Sequence, residues 1–208
     1  MSAATAHAPV DAADIRSLEL QMQTLSQPTL VMIHEGEDAL DQSLANQGYE
    51  VIDPVVLYAS AITPLLTPHP DRLDGFSVWP PLSIQEDIWA SGSIGPGRLN
   101  VMQRANLPKT TIFGRAENRA AGTAYVGIKD NIAMLHAMEV LEHMRRKGAA
   151  QKMMRVAATW AATQGAKTIT LVTTRNNLPA NRLYSSLGLK IVGEYHYRIK
   201  PTAGAGKT

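Results

Sequence analysis

Apolar residues recur along the chain with two different periods, and the changes of period outline its predicted elements. A short apolar run at 29–36 predicts a strand, and helical spacing at 38–48 predicts a helix that ends in glycine. Residues 49–60 then follow an extended pattern that is interrupted at Pro54. The first part of the chain is therefore expected to form a strand, a helix and a broken strand.

The middle of the chain has a pattern typical of a meander. Helical spacing predicts two short helices within 83–106, separated by a glycine-rich turn. Three strand patterns follow at 109–117, 122–130 and 131–140, and short turn segments join them. We expect these three strands to pair in sequence order.

Helix and strand alternate in the last part of the chain. Apolar spacing from Gly148 to Thr163 predicts an amphipathic helix, and Gly165 stands at its C-terminal cap. A strand at 168–173 and a helix that ends before Gly188 follow. A last pair of strand-like runs at 189–200 completes the predicted domain.

Composition excludes several kinds of site. The chain of 208 residues contains no cysteine, which removes disulfides and thiolate chemistry, and its six histidines lack metal-ligand spacing, so we expect no metal. A net charge of +2 is too small to indicate nucleic-acid binding. No long apolar run and no signal-peptide pattern occur, so we expect a cytoplasmic protein without membrane contact.

Positive charge is concentrated in the turn that precedes the long helix, which reads RRKGAAQ at 145–151. The first N–H groups of a helix are unpaired, and glycine and alanine leave them accessible to an extended anion such as a diphosphate. An exposed helix dipole contributes only about 0.3–1 kcal/mol, so several amides would have to converge on the anion. The alternative is a solvated loop that uses glycine only to turn the chain.

The order of these elements resembles the GNAT superfamily of acyl-CoA-dependent N-acyltransferases over about residues 75–200. The resemblance implies an α/β fold with a mixed, mostly antiparallel central sheet that is flanked by helices and contains one splayed parallel pair. It also implies an acetyl-CoA-dependent N-acetyltransferase. The motif residues are Arg145, Gly148 and Ala150 of an RxxGxA turn, and Asn177, Ala180, Leu183 and Tyr184 of an NxxAxxLY element.

The same resemblance implies where acetyl-CoA binds. The turn amides would hold the pyrophosphate, while the backbone around Met138 and Val140 would pair with the pantetheine arm and polarise the thioester carbonyl. Asn177 would contact that arm, and its position is also that of a helix N-cap. The expected cofactor-binding residues are Met138, Val140, Arg145, Arg146, Lys147, Gly148, Ala149, Ala150, Asn177 and Ala180.

Three residues are candidates for proton transfer. Tyr184 matches the family's general acid, although its spacing from Ala180 also suits simple packing. The LHAMEV run resembles a strand of arylalkylamine N-acetyltransferases in which His136 would help to deprotonate the amine, although a strand histidine is often only structural. Strict alternation places His136 on one face of the strand and Glu139, a second base candidate, on the other.

The domain prediction separates four segments. Residues 73–200 form the acetyltransferase domain, and the proline-rich stretch at 64–75 marks its boundary. Residues 21–72 resemble the end of a GNAT domain, which indicates either a truncated repeat or an unrelated extension. Segments 1–20 and 201–208 are expected to be flexible ends, and Pro201 excludes a phosphate-loop reading of the terminal GAGKT.

Two function classes follow from these patterns. The first is direct acetyl transfer to a primary amine of a small molecule or peptide, by a monomer or a homodimer, without nucleic acid. The alternative is a non-catalytic acyl-CoA-binding or regulatory module of the same fold. Nucleic-acid binding through the basic turn is a weaker third possibility. The identity of the acceptor is not encoded in any pattern that the sequence shows.

Overall fold

The computed structural model describes residues 3–201. The predicted flexible tail lies outside these residues except for Pro201, as does the GAGKT segment. Within the described part, no helix is both long and apolar enough to cross a bilayer.

Eight strands of residues 3–201 form one mixed sheet in the order β1-β8-β2-β7-β6-β5-β4-β3. Neighbours β3 to β6 pair antiparallel, as does β1 with β8, whereas β6 and β7 are parallel. This mixed sheet with one parallel pair confirms the predicted fold class. The strands are β1 (Leu30–His34), β2 (Glu50–Ala61), β3 (Gly75–Val78), β4 (Lys109–Ala116), β5 (Arg119–Lys129), β6 (Ile132–Val140), β7 (Thr168–Thr174) and β8 (Lys190–Ile199).

The described part of the chain contains six α-helices beside the sheet, and short 3-10 turns precede β3 and α5. Glycine in the left-handed conformation follows α2, α5 and α6, which confirms the three predicted helix ends. The helices are α1 (Ala12–Thr24), α2 (Asp38–Asn46), α3 (Ser83–Ser91), α4 (Pro96–Arg104), α5 (Ala149–Thr163) and α6 (Leu178–Ser186).

Three elements differ from the sequence prediction. Helix α1 lies largely in the segment expected to be flexible, and it begins at a capping box between Asp11 and Asp14. Strand β2 continues through Pro54, because Asp53 adopts a positive φ of 46° and absorbs the irregularity before the proline. The two strand-like runs predicted at 189–200 form the single strand β8.

The chain divides into two compact units. The first comprises the chain up to Leu57, Thr173–Leu178 and the chain from Ile191 onward, and the second comprises Tyr58–Val172 and Pro179–Lys190. The core of the first unit consists of Ile15, Val31, Ile33, Leu44 and Tyr49. In the second, the thioether of Met153 on α5 lies against Gly114 and Gly122, where a Cβ would overlap with it. The missing side chains therefore let α5 approach the sheet closely.

Asp41 is the centre of an ionic cluster in the first unit. Both of its carboxylate oxygens accept hydrogen bonds from Arg198, at 2.7 and 2.9 Å, and His196 Nε2 lies 2.7 Å from Oδ1. The bidentate arginine holds the pKa of Asp41 at about 2, well below its usual value of 3.8. The ionised carboxylate is therefore favoured in the folded state.

Replacing Asp41 with asparagine is expected to lower the free energy of unfolding by about 1–2 kcal/mol at neutral pH, allowing for solvent screening. Because the folded pKa is depressed, this contribution is complete above pH 4 and is lost as the pH falls towards 2. Urea unfolding across this range should show a steeper loss for the wild type than for the variant. Asp38→Asn on the same helix is the control, and equal effects of the two substitutions would contradict the assignment.

Candidate functional site

The parallel strands β6 and β7 pair over only part of their length. Their register runs from Ile132 opposite Thr168 to Leu135 opposite Leu171. Strand β6 then continues for five residues to Val140 beyond this paired stretch. The edge of β6 from His136 to Val140 therefore offers backbone groups on the side away from β5.

A β-bulge interrupts β6 between His136 and Glu139. Tyr125 of β5 pairs with His136, but Thr123 pairs with Glu139, so β6 contains one extra residue. Ala137 takes the positive φ of 50° that the bulge requires, and its carbonyl accepts a hydrogen bond of 2.7 Å from the indole of Trp89. The fully buried Trp89 on α3 thus fixes the bulge.

The bulge overturns the predicted alternation of side chains along β6. Thr123 and Tyr125 lie on one face of β5, and residues paired across antiparallel strands share a face. His136 and Glu139 therefore lie on the same face, rather than on opposite faces as strict alternation predicts. The structure brings both candidate bases to one side of the sheet.

His136 lines a cavity of about 540 Å³ in the second unit. Its ring lies 6.2 Å from that of Tyr125, measured between centroids. Burial lowers the pKa of His136 from 6.5, and the nearby charge of Arg98 lowers it further. The imidazole is consequently neutral at pH 7 and able to accept a proton.

Glu139 lies between the end of α3 and the basic turn. Its carboxylate lies against the backbone of Gly92, where a Cβ would overlap with it, and it pairs with Arg145 at 3.5 Å. Arg145 Nε also donates to the carbonyl of Val140 at 3.2 Å. Glu139 therefore connects the bulged strand to the basic turn, and Glu142, the other acidic residue nearby, is exposed to solvent.

The turn from Arg145 to Gly148 leaves the start of α5 accessible. Gly148 is the N-cap residue with φ 78°, no side chain caps the helix, and a Cβ built at Gly148 would meet no atom within 4 Å. Arg145, Arg146 and Lys147 are exposed, and Lys147 pairs with Glu117 at 2.7 Å. Ala149 is buried against Met144, which anchors the turn. The geometry suits an extended anion.

Tyr184 is buried on α6 beside a residue that the sequence pattern did not indicate. The rings of Tyr58 and Tyr184 lie 5.6 Å apart, and the Tyr58 hydroxyl donates a hydrogen bond of 3.0 Å to Asn181 on the same helix. Burial raises the pKa of Tyr184 to about 12. Tyr184 is therefore protonated throughout the physiological range.

Two further predicted residues, Asn177 and Ala180, lie at the start of α6. Asn177 directly precedes α6, as expected for a cap residue, and its backbone N–H donates to Thr174; Ala180 lies in the first turn. Tyr195 and Tyr197 belong to the first unit, where their rings meet edge to face at 5.6 Å. They do not line the cavity beside His136.

Comparison with known proteins identifies the family and the fold of the chain. The model of the Acetyltransferase (GNAT) family matches residues 78–189. An uncharacterized N-acetyltransferase of Bacillus subtilis, YobR, is 29% identical over 197 residues, which cover 88% of this chain and 77% of the relative. A GCN5-related N-acetyltransferase from Kribbella flavida has a similar fold, with a TM-score of 0.65 and 18% identity over 95% of this chain and 79% of that chain. A tandem GNAT protein from the clavulanic acid biosynthesis pathway gives a TM-score of 0.62 and 13% identity over 93% and 69% of the two chains.

Proposed function

The chain belongs to the GNAT acetyltransferase family, and we propose that it is an acetyl-CoA-dependent N-acetyltransferase that transfers the acetyl group directly to a primary amine. One observation carries this proposal. Strand β6 continues past its last residue paired with β7, so the backbone of residues 136–140 is not paired with that strand. His136, the first residue of this unpaired edge, lines the cavity. A group bound along the strand and a group in the cavity can meet there.

The basic turn fits the pyrophosphate of coenzyme A. The helix α5 has no side-chain cap, space is open at Gly148, and three cations stand around it. The amides from Arg145 to Ala150 would hold the phosphates, and the edge at Met138 and Val140 would bind the pantetheine arm. Asn177 and Ala180 at the start of α6 are assigned to the same arm.

The protein's own groups then move two protons. When bound, acetyl-CoA supplies an activated thioester, and the net reaction forms a C–N bond, breaks the C–S bond and releases coenzyme A and one proton. His136 takes a proton from the ammonium of the acceptor, directly or through water, and Glu139 keeps the turn cation Arg145 in place. Tyr184 donates its proton to the leaving sulfur. No metal takes part in this scheme.

A repeated segment supports the assignment of residues 21–72 as a truncated GNAT repeat. Helices α2 and α6 both have nine residues, and their positions differ by 140. Each is followed by a left-handed glycine, Gly48 with φ 81° and Gly188 with φ 84°. Strands β2 and β8 begin two residues after these glycines. The two segments therefore share order, length and turn geometry.

Side-chain contacts are repeated with the same shift. Tyr58 of β2 donates to Asn181 of α6, and Arg198 of β8 donates to Asp41 of α2. Arg198 lies 140 positions after Tyr58, and Asn181 lies 140 positions after Asp41. In both pairs, a helix is contacted by the strand that follows the other helix in the sequence. We infer that the two repeats have exchanged their last strands. Leu44 stands where α6 has Tyr184, so the first repeat lacks the acid.

Activity and the choice of base can be tested in one experiment. With acetyl-CoA and a panel of primary amines, we expect release of free thiol together with N-acetylated product, measured by mass spectrometry. The acid limb of kcat/KM should lie below pH 6.5, because the pKa of His136 is lowered. His136→Gln should remove this limb and reduce kcat/KM by about 100-fold or more.

Two control variants separate the alternatives. His7→Gln, a change at an exposed histidine, should leave the profile unchanged. If Glu139→Gln instead of His136→Gln abolishes the acid limb, the base is Glu139. Tight acetyl-CoA binding without turnover of any amine would favour a non-catalytic acyl-CoA-binding module. Trapping of an acetylated enzyme would exclude direct transfer.

A further inference from the structure

The cavity beside His136 carries information about the acceptor. Its volume of about 540 Å³ is in the range of small-molecule sites. Most of its walls are apolar, and they come from α4, from the hairpin of β5 and β6, and from the loop before β4. The apolar walls include Val101, Met102, Leu107, Tyr125, Ile132 and Met134.

The walls are fixed by contacts outside the cavity. Lys109 Nζ donates to the carbonyls of Gln103 and Ala105, at the end of α4, and lies 4.9 Å from the centroid of the Trp79 ring. Trp79 in turn meets Tyr125 edge to face at 6.1 Å. The shape of the cavity is therefore set before a ligand arrives, which favours recognition by fit.

Charge around the cavity is predominantly positive. Two cationic side chains line the cavity, Arg98 on α4 and Lys129 at the end of β5, whereas Asp130 is the one carboxylate among the lining residues. Neither cation forms a side-chain ion pair or hydrogen bond with another residue of the described chain 3–201. The charge of Arg98 reaches His136, since it contributes to lowering the pKa of that histidine.

This arrangement opposes acceptors that are only cationic. An ammonium group bound at His136 shares the cavity with the Arg98 guanidinium, and like charges in one cavity repel each other. A carboxylate next to the amine removes this conflict, because it pairs with the guanidinium while the ammonium meets the imidazole. Polyamines and aminoglycosides carry several cations and find only Asp130.

We propose that the acceptor is an α-amino acid with an apolar side chain, held by its carboxylate at Arg98 with its side chain in the apolar cavity. This inference rests on the proposed acetyltransferase function. The inference adds a class of acceptor and a residue that selects it, Arg98, to that function. Lys129 provides a second positive charge at the same cavity that attracts the same carboxylate.

The test compares amino acids with their decarboxylated analogues. We would measure kcat/KM for L-leucine against isoamylamine and for L-phenylalanine against phenethylamine, in the wild type, in Arg98→Gln and in Arg104→Gln. The wild type should prefer each amino acid at least tenfold. Arg98→Gln should lower kcat/KM for the amino acids by about 10- to 100-fold, since a charged hydrogen bond contributes about 1.5–3 kcal/mol. For the plain amines it should raise kcat/KM, because the repulsion between the guanidinium and the ammonium is removed.

The design separates the two proposals. Comparing ratios between variants cancels the intrinsic reactivity of each amine. Arg104, at the other end of α4, donates among residues 3–201 only to the carbonyl of Asn100, and it does not line the cavity, so Arg104→Gln should have no effect. If the wild type acetylates the plain amines or spermidine as well as the amino acids, the carboxylate proposal fails and the acetyltransferase function stands. If acetyl-CoA binds and no amine of any class is acetylated, both fail.

Discussion

Replacing Gly148 with glutamate is expected to weaken acetyl-CoA binding by about 100-fold or more. The substitution places a carboxylate in the open space before α5, where the pyrophosphate would lie. Two like charges about 4 Å apart repel by about 4 kcal/mol at an effective dielectric of about 20. Titration calorimetry of acetyl-CoA into the wild type and the variant measures the loss.

Gly165→Glu is a closely matched control. Gly165 follows the other end of α5, has φ 84°, and a Cβ there also meets no atom within 4 Å. Both variants therefore carry the same cost of about 1–2 kcal/mol for a left-handed residue with a side chain. Only Gly148→Glu should lose binding. Equal affinities of the two variants would show that the pyrophosphate does not bind at this turn.

Local patterns were sufficient to predict most helices. The helices α2, α5 and α6 combine apolar spacing with a glycine at the C-terminal end, and both signals lie within a few residues of each other. The three-strand meander is likewise encoded by short turn segments. Helix α1 also had a local signal, the Asp11 and Asp14 capping box, but its weak amphipathicity hid it.

The site depends on interactions that are distant in sequence. The bulge at Ala137 involves a non-glycine residue, and it is fixed by Trp89, 48 positions earlier. A strand pattern cannot show such an extra residue, so alternation placed Glu139 on the wrong face. Because one extra residue decides which side chains share a face of the sheet, the arrangement of the candidate residues could not be predicted from alternation alone.

The surroundings of Tyr184, the proposed general acid, could not be predicted from the local sequence either, as Tyr58 shows. It lies 123 positions before Asn181, its hydrogen-bond partner, and comes from the segment assigned to the truncated repeat. Nothing local distinguishes it from any other tyrosine in a strand. Tyr58 and Tyr184 both belong to the second unit, so the surroundings of Tyr184 include a residue that precedes the predicted domain boundary at residue 73.

Tyr184→Phe is expected to lower kcat by about 100-fold, with little change in the affinity for acetyl-CoA. The phenyl ring keeps the packing against Tyr58, so the variant should fold normally. With a pKa of about 12, the hydroxyl is a weaker acid than a free thiol with a pKa of about 8.5, so proton transfer to the sulfur is uphill by itself. In the proposed mechanism, the collapse of the tetrahedral intermediate drives this transfer as the C–S bond breaks. Loss of the hydroxyl should then slow the chemical step alone, which single-turnover kinetics would separate from binding.

Tyr58→Phe provides the comparison that distinguishes proton donation from packing. It removes the hydrogen bond to Asn181 and keeps the ring beside Tyr184, so we expect a decrease in kcat of less than about 10-fold. Over pH 6 to 10, the ratio of wild-type to Tyr184→Phe activity should stay constant, because Tyr184 remains protonated up to about pH 12. A ratio that falls to one within this range would mean that Tyr184 loses its proton there. Full activity of Tyr184→Phe would assign the acid to another group, such as water.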